Sequence, residues 1–155
     1  MNLWPPFRGA GIRVTSIAAD WNSATVDRRD RVLNRNFLGT HFGGSLFAMA
    51  DRFYVTMLSQ RHGTDCVVWD RAAEIEYLRP GRGTLGATLS IAAADVASLK
   101  LEALGGARVL RDFTAEIRDV EGELVARVKK QRYVRLKRRL REEPAPVGEE
   151  TASGP

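Results

Sequence analysis

The sequence predicts an α+β protein in which a curved antiparallel β-sheet wraps one long central helix, with a short inserted helix. Two observations predict it. From Gly43 to Arg61 there is no proline, and apolar residues recur at three and four while Ala48, Met49 and Val55 fill the gaps. A helix apolar almost all round is one enclosed by other structure. After it come runs of alternating polarity broken by Gly and Pro, the pattern of strands that bury one face. A sheet curled around the helix is the simplest packing of such parts.

Residues 1–10 read as an N-terminal arm, residues 11–137 as one domain, and residues 138–155 as a disordered tail. The end of that tail, EEPAPVGEETASGP, is proline-rich, acidic and without periodicity. Gly11 to Ala19 and Ser23 to Val32 are β-prone runs around the turn-compatible Asp20-Trp21-Asn22, hence a hairpin. Asn34 to Phe42 is irregular by composition. His62-Gly63 stops the long helix. Cys66 to Asp70 and Ala72 to Leu78 are strand segments halted by Arg79-Pro80-Gly81. Thr84 to Ala94 sets Leu85, Ala87, Leu89 and Ile91 on one face. Asp95 is expected to cap a short helix that runs to Leu104 and ends at Gly105-Gly106. Arg108 to Asp119 and Glu123 to Leu136 flank Val120-Glu121-Gly122 as a long hairpin.

The chain has 155 residues, 44% apolar and 28% charged, the balance of a soluble globular domain rather than a disordered or membrane one. Arg52 and Arg61 interrupt its longest apolar run, so no membrane span is expected. MNLWPPFRG has no leader-like stretch, and Cys66 has no partner for an intrachain disulfide, which together point to a cytoplasmic protein. The net charge of +5 gathers near the end, in Lys129, Lys130, Arg132, Arg135, Lys137, Arg138, Arg139 and Arg141. Nucleic acid is one partner that such a cluster suggests. A solvated last strand with a basic tail is the simpler reading, because no aromatic stacking pattern or reading helix accompanies the charge.

Chemistry concentrates at the start of the long helix. First-turn N–H groups have no intrahelical partner, and Gly43 and Gly44 would let a ligand approach that backbone closely, a carbonyl-polarising arrangement. The plainer alternative is tight packing at a turn. Asp51 is a carboxylate on an apolar helix and needs a reason. It follows Gly43 by eight residues, about 12 Å along the axis at ~1.5 Å per residue, so one carbonyl carbon cannot be near both on one chain. If both act on one bond they come from two chains with antiparallel helices across a two-fold axis. Desolvated there, Asp51 would serve as a base or nucleophile. Otherwise it caps a loop or pairs with Arg52, Arg35 or another chain's arginine.

Other constellations are weaker. Ser45, His41 and Asp51 lack the second glycine of a nucleophile elbow. Cys66 opens an apolar strand, and His62 suits a helix C-terminus. Two histidines and one cysteine offer no metal spacing, and no phosphate-binding loop or dinucleotide fingerprint is present, so no cofactor is expected.

The string N-x-x-G-T-x-x-G-G-x-L-F-A-x-A-D, here Asn36, Gly39, Thr40, Gly43, Gly44, Leu46, Phe47, Ala48, Ala50 and Asp51, resembles the helix-start motif of hotdog-fold acyl-CoA thioesterases of the phenylacetate-pathway type. Glu74-Ile75-Glu76-Tyr77-Leu78-Arg79-Pro80-Gly81 followed by Gly83 is similar to their F-L-R-P-A-x-x-G segment, and the resemblance runs from about Gly11 to Leu136. It implies that Asp51 is general base or nucleophile, that the Gly43 N–H, beside Gly44, polarises the thioester carbonyl, and that the Asn36 amide holds the carbonyl or the water. It implies a homodimer with the site at the interface, often a dimer of dimers. Phe42 stands where the family commonly has histidine, and His41, one position early, would point elsewhere. The segment Asp95 to Gly105 and Val68-Trp69-Asp70-Arg71 look like those of a tetrameric bacterial branch of thioesterase-like proteins. Asp70 is then a second candidate for positioning water. A coenzyme A thioester is the expected substrate. Phe37, Phe42, Phe47 and Tyr54 are expected to line an acyl tunnel, and Arg79, Arg82 or the basic strand to lie near the coenzyme A phosphates. A non-catalytic acyl-thioester-binding protein on the same fold is the alternative.

Overall fold

A computed structural model of the chain describes residues 1–63, 65–137 and 140. The expected tail, 138–155, therefore lies outside the described residues apart from residue 140. Six strands form one antiparallel sheet: β1 (Ile12–Ile17), β2 (Ser23–Arg29), β3 (Cys66–Tyr77), β4 (Thr84–Ser90), β5 (Val109–Asp119) and β6 (Leu124–Leu136). Their order across the sheet is β1-β2-β4-β5-β6-β3. The two segments expected around Arg71 are one strand, β3, whose register with β6 slips between Asp70 and Ala72 at a bulge. This is the hotdog fold, a sheet wrapped on its central helix.

The central helix is α2 (Gly43–Asp51) followed directly by α3 (Phe53–His62). It is thus not the single helix expected. Arg52, between the two helices, keeps helical dihedrals, and its carbonyl accepts from both the amide and the hydroxyl of Thr56. Such back-bonding bends helices. Leu46, Met49, Ala50, Phe53, Tyr54, Met57 and Leu58 are buried, and the inward strand residues Val26, Leu85, Ala87, Leu89, Ala115, Ile117 and Val128 complete the core. Alternation along β4 and β5 delivers those residues, because every second side chain points to one face.

Three local expectations change. The first ten residues are not only an arm: Pro5–Ala10 is a helix, α1, that buries Phe7 against Phe53 with ring centroids 6.0 Å apart. Asp95 does not cap the inserted helix; α4 (Ala93–Leu104) begins after Ala92, and Asp95 sits inside its first turn. The basic last strand is not simply solvated. In β6, Ala126, Val128, Lys130, Arg132, Val134 and Leu136 all face inward, so two cations lie in the stripe under the helix.

Candidate active site

At the head of α2 the amides of Ser45 and Leu46 both reach the Phe42 carbonyl, at 2.9 and 3.3 Å. The amides of Gly43 and Gly44 have no hydrogen-bond partner among the described residues. They are the orphan donors of a helix N-terminus. A Cβ on Gly43 would stand 2.7 Å from the Tyr77 hydroxyl oxygen, and one on Gly44 would stand 2.6 Å from the Phe42 ring. A side chain at either position would push one of these rings aside, and that contact borders an open cleft of about 620 Å³. Asn36, Phe42, Tyr77, Leu78 and Arg79 line it together with the two glycines. Tyr77 was missed in the sequence; its signal is an aromatic at the last position of a strand, before Leu78-Arg79-Pro80-Gly81.

The loop before α2 spends its polar groups on itself. Asn36 Oδ1 accepts from the amides of Leu38 and Thr40, at 2.9 and 3.1 Å, while Nδ2 donates to Thr40 Oγ1 at 2.8 Å. In one protomer Asn36 is thus a wall of the cleft whose amide also braces the loop. His41 is buried and its Nε2 donates to the Gly83 carbonyl at 2.9 Å, fixing the tautomer. It pins the loop to the β3–β4 connection. Phe42, 58% exposed, takes the cleft-facing place instead.

Asp51 lies outside that cleft, at the other end of α2. Within the chain its partner is neither Arg52 nor Arg35 but Lys130, whose Nζ donates to Oδ1 at 2.5 Å. The same ammonium is 3.6 Å from Asp70 and 4.2 Å from the Phe47 ring centroid. Arg132 pairs with Asp70 and reaches the Asp51 carbonyl oxygen at 3.4 Å. The β3–β6 register sets Asp70 directly across from Arg132, so the two side chains share a face. Burial pulls Arg132 down to about 10, against the opposing effect of Asp51 and Tyr54. The Asp51 side chain is 44% exposed, so the desolvation expected of a buried base is not reached within one protomer.

Gly43, Phe47 and Asp51 are spaced by four and share one helix face. Phe47 covers Lys130, whereas Phe37 projects into solvent and Arg82 leans on the Gly39 carbonyl at 3.4 Å, away from the cleft wall. Tyr54 lines no tunnel: it is fully buried, stacks on Phe113 and donates to the Thr114 carbonyl at 2.8 Å. Arg79 is in the cleft, but its guanidinium is paired with Asp119 at 2.6 Å and lies 3.7 Å from Glu123. Among the described residues no group of His, Cys, Asp and Glu could hold a metal, and no helix is long and apolar enough to cross a membrane.

A family model described as a domain of unknown function (DUF4442) matches residues 1–134. No curated protein matches the chain. Among solved structures, it is similar to a Pseudomonas aeruginosa protein of unknown function described as a probable thioesterase, at TM-score 0.79 and 17% identity, covering 88% of this chain and 91% of that one. A thioesterase from Haemophilus influenzae superposes at TM-score 0.65 and 16% identity, over 86% of this chain and 84% of that one. The PaaI protein of the E. coli phenylacetic acid degradation operon does so at TM-score 0.59 and 20% identity, over 83% and 82% of the respective chains.

Proposed function

The chain belongs to the DUF4442 family, and we propose that it hydrolyses acyl-CoA-type thioesters to free acid and thiol at a site shared between two copies of itself. The observation that carries this reading is the pairing of two free amides, Gly43 and Gly44, with a carboxylate two turns further along the same helix face. Asp51 of one protomer would take a proton from water as the oxygen attacks the thioester carbon. The Gly43 amide of the other would hold the oxyanion that forms. Collapse of that intermediate breaks the C–S bond, and the departing thiolate takes up a proton. The acyl chain would lie in the cleft against Phe42, Tyr77 and Leu78.

The shared site needs the two helices side by side. Strand β3 supports this, since among the described residues it ends the sheet with only β6 as neighbour, carries Asp70, which shares the Lys130 ammonium with Asp51, and sets Tyr77 against Gly43. Edge pairing of two β3 strands would join two sheets and bring one protomer's Asp51 toward the other's Gly43.

One observation favours a second reading, a non-catalytic acyl-thioester-binding protein: the Asp51–Lys130 pair gives the carboxylate a structural use. Thiol release from a panel of short, long and aromatic acyl-CoAs, by wild type and Asp51→Asn, decides between them. Hydrolysis predicts release by wild type and its loss, by roughly 100-fold or more, in the variant. Equal rates, or ligand binding without release by either, would assign the binding role.

A further inference from the structure

Lys130 holds a place that a strand packed under an apolar helix would ordinarily give to valine or leucine. Val128 precedes it and, beyond Arg132, Val134 follows on the inward stripe of β6, and its side chain is 1% exposed. A buried ammonium persists only with partners, and its partners here are specific. Nζ donates to Asp51 Oδ1 at 2.5 Å, lies 3.6 Å from Asp70 Oδ2 and sits over the Phe47 ring. Arg132, the next inward residue, serves the Asp70 carboxylate and the Asp51 main-chain carbonyl, not the Asp51 carboxylate.

Asp51 is left with one oxygen anchored and the other without a partner among the described residues. Lys130 anchors Oδ1, and the Asp51 side chain is 44% exposed. That is the arrangement of an oriented carboxylate whose outer oxygen handles water. Resting on the thioester reading above, we infer that Lys130 is a positioning residue for hydrolysis: it acts through Asp51, by holding one carboxylate oxygen so that the other faces the attacking water. Asp70, itself paired with Arg132, lies near Lys130 in turn, which gives the bulged β3–β6 pairing a role in the chemistry.

A cycle of rates tests this. Lys130→Met keeps the stem and removes the ammonium, so kcat should fall roughly 10- to 100-fold, the worth of one charge-assisted hydrogen bond, with KM within about twofold. Lys130→Arg should recover part of the loss. In the Asp51→Asn background, Lys130→Met should cost less than about threefold more, because its effect passes through Asp51. An equal cost in both backgrounds, or an unchanged kcat in Lys130→Met, overturns the positioning role while leaving hydrolysis standing. No thiol release by wild type from any acyl-CoA overturns both. If circular dichroism shows K130M unfolded, K130Q and K130R carry the same comparison.

Discussion

The Tyr77 ring rests directly on Gly43: a Cβ there would stand 2.7 Å from the Tyr77 hydroxyl oxygen and 2.9 Å from Cζ. The ring is 54% exposed and can swing outward, and alanine is the better helix former by about 0.5–1 kcal/mol. Gly43→Ala should therefore fold with stability within about 1 kcal/mol of wild type. Its rate should not survive as well, since the methyl crowds the approach to an amide that has no other partner. We expect kcat/KM for thiol release to fall roughly 100-fold, the loss typical of one oxyanion donor. Urea unfolding and acyl-CoA kinetics on the same preparation check both halves; a wild-type kcat/KM would put the carbonyl elsewhere.

Assembly and activity should fail together at the edge strand. Trp69 on β3 is 65% exposed in the protomer, and no strand among the described residues pairs with the outer side of β3. A charge placed there blocks edge-to-edge pairing. Trp69→Glu should convert a dimer to a monomer by light scattering on a sizing column, and thiol release should disappear with the dimer. A monomeric variant that keeps full activity would place the whole site in one chain.

The helix start, the strand period and the stop at Arg79-Pro80-Gly81 were legible because each rests on local chemistry: missing amide partners, alternation, a locked φ. Phase was not. A helix apolar all round gives no clue to which aromatic faces a cleft, so Phe47 over Lys130 and Tyr54 in the core could not be told apart. Lys130 and Arg132 read as solvent residues because a strand's inward face is set by its neighbour's register. Only the β3 pairing, which puts Asp70 across from Arg132, shows what compensates the buried charge. The Pro5–Ala10 helix was too short for periodicity, although Pro5-Pro6 is a fair start signal.

Stability should fall toward acid through His62. The imidazole is 3% exposed, neither ring nitrogen has a partner among the described residues, and burial, then Lys100 and Arg61, holds it below 6.5. Below that value the unfolded chain binds a proton that the folded chain resists. Stability is then full above about 6.5 and declines as pH falls from there toward the folded value. His62→Leu should flatten this part of the profile, read as urea midpoints at about pH 7.5 and about pH 5.5. An identical slope in the variant would assign the decline to other groups.

Tyr54→Phe separates core from cleft. The Tyr54 hydroxyl is buried, donates to the Thr114 carbonyl at 2.8 Å, and is pushed up to about 12 by burial, so it stays protonated across the physiological range. Removing it deletes one buried hydrogen bond, at a cost of about 0.5–1.5 kcal/mol. The ring stack with Phe113, centroids 5.0 Å apart, is kept. The urea midpoint should therefore drop while the ranking of acyl-CoA substrates stays that of wild type. Had Tyr54 lined the acyl tunnel, the opposite would hold: an added apolar edge would favour longer chains with little change in stability, and that result would return Tyr54 to the substrate site.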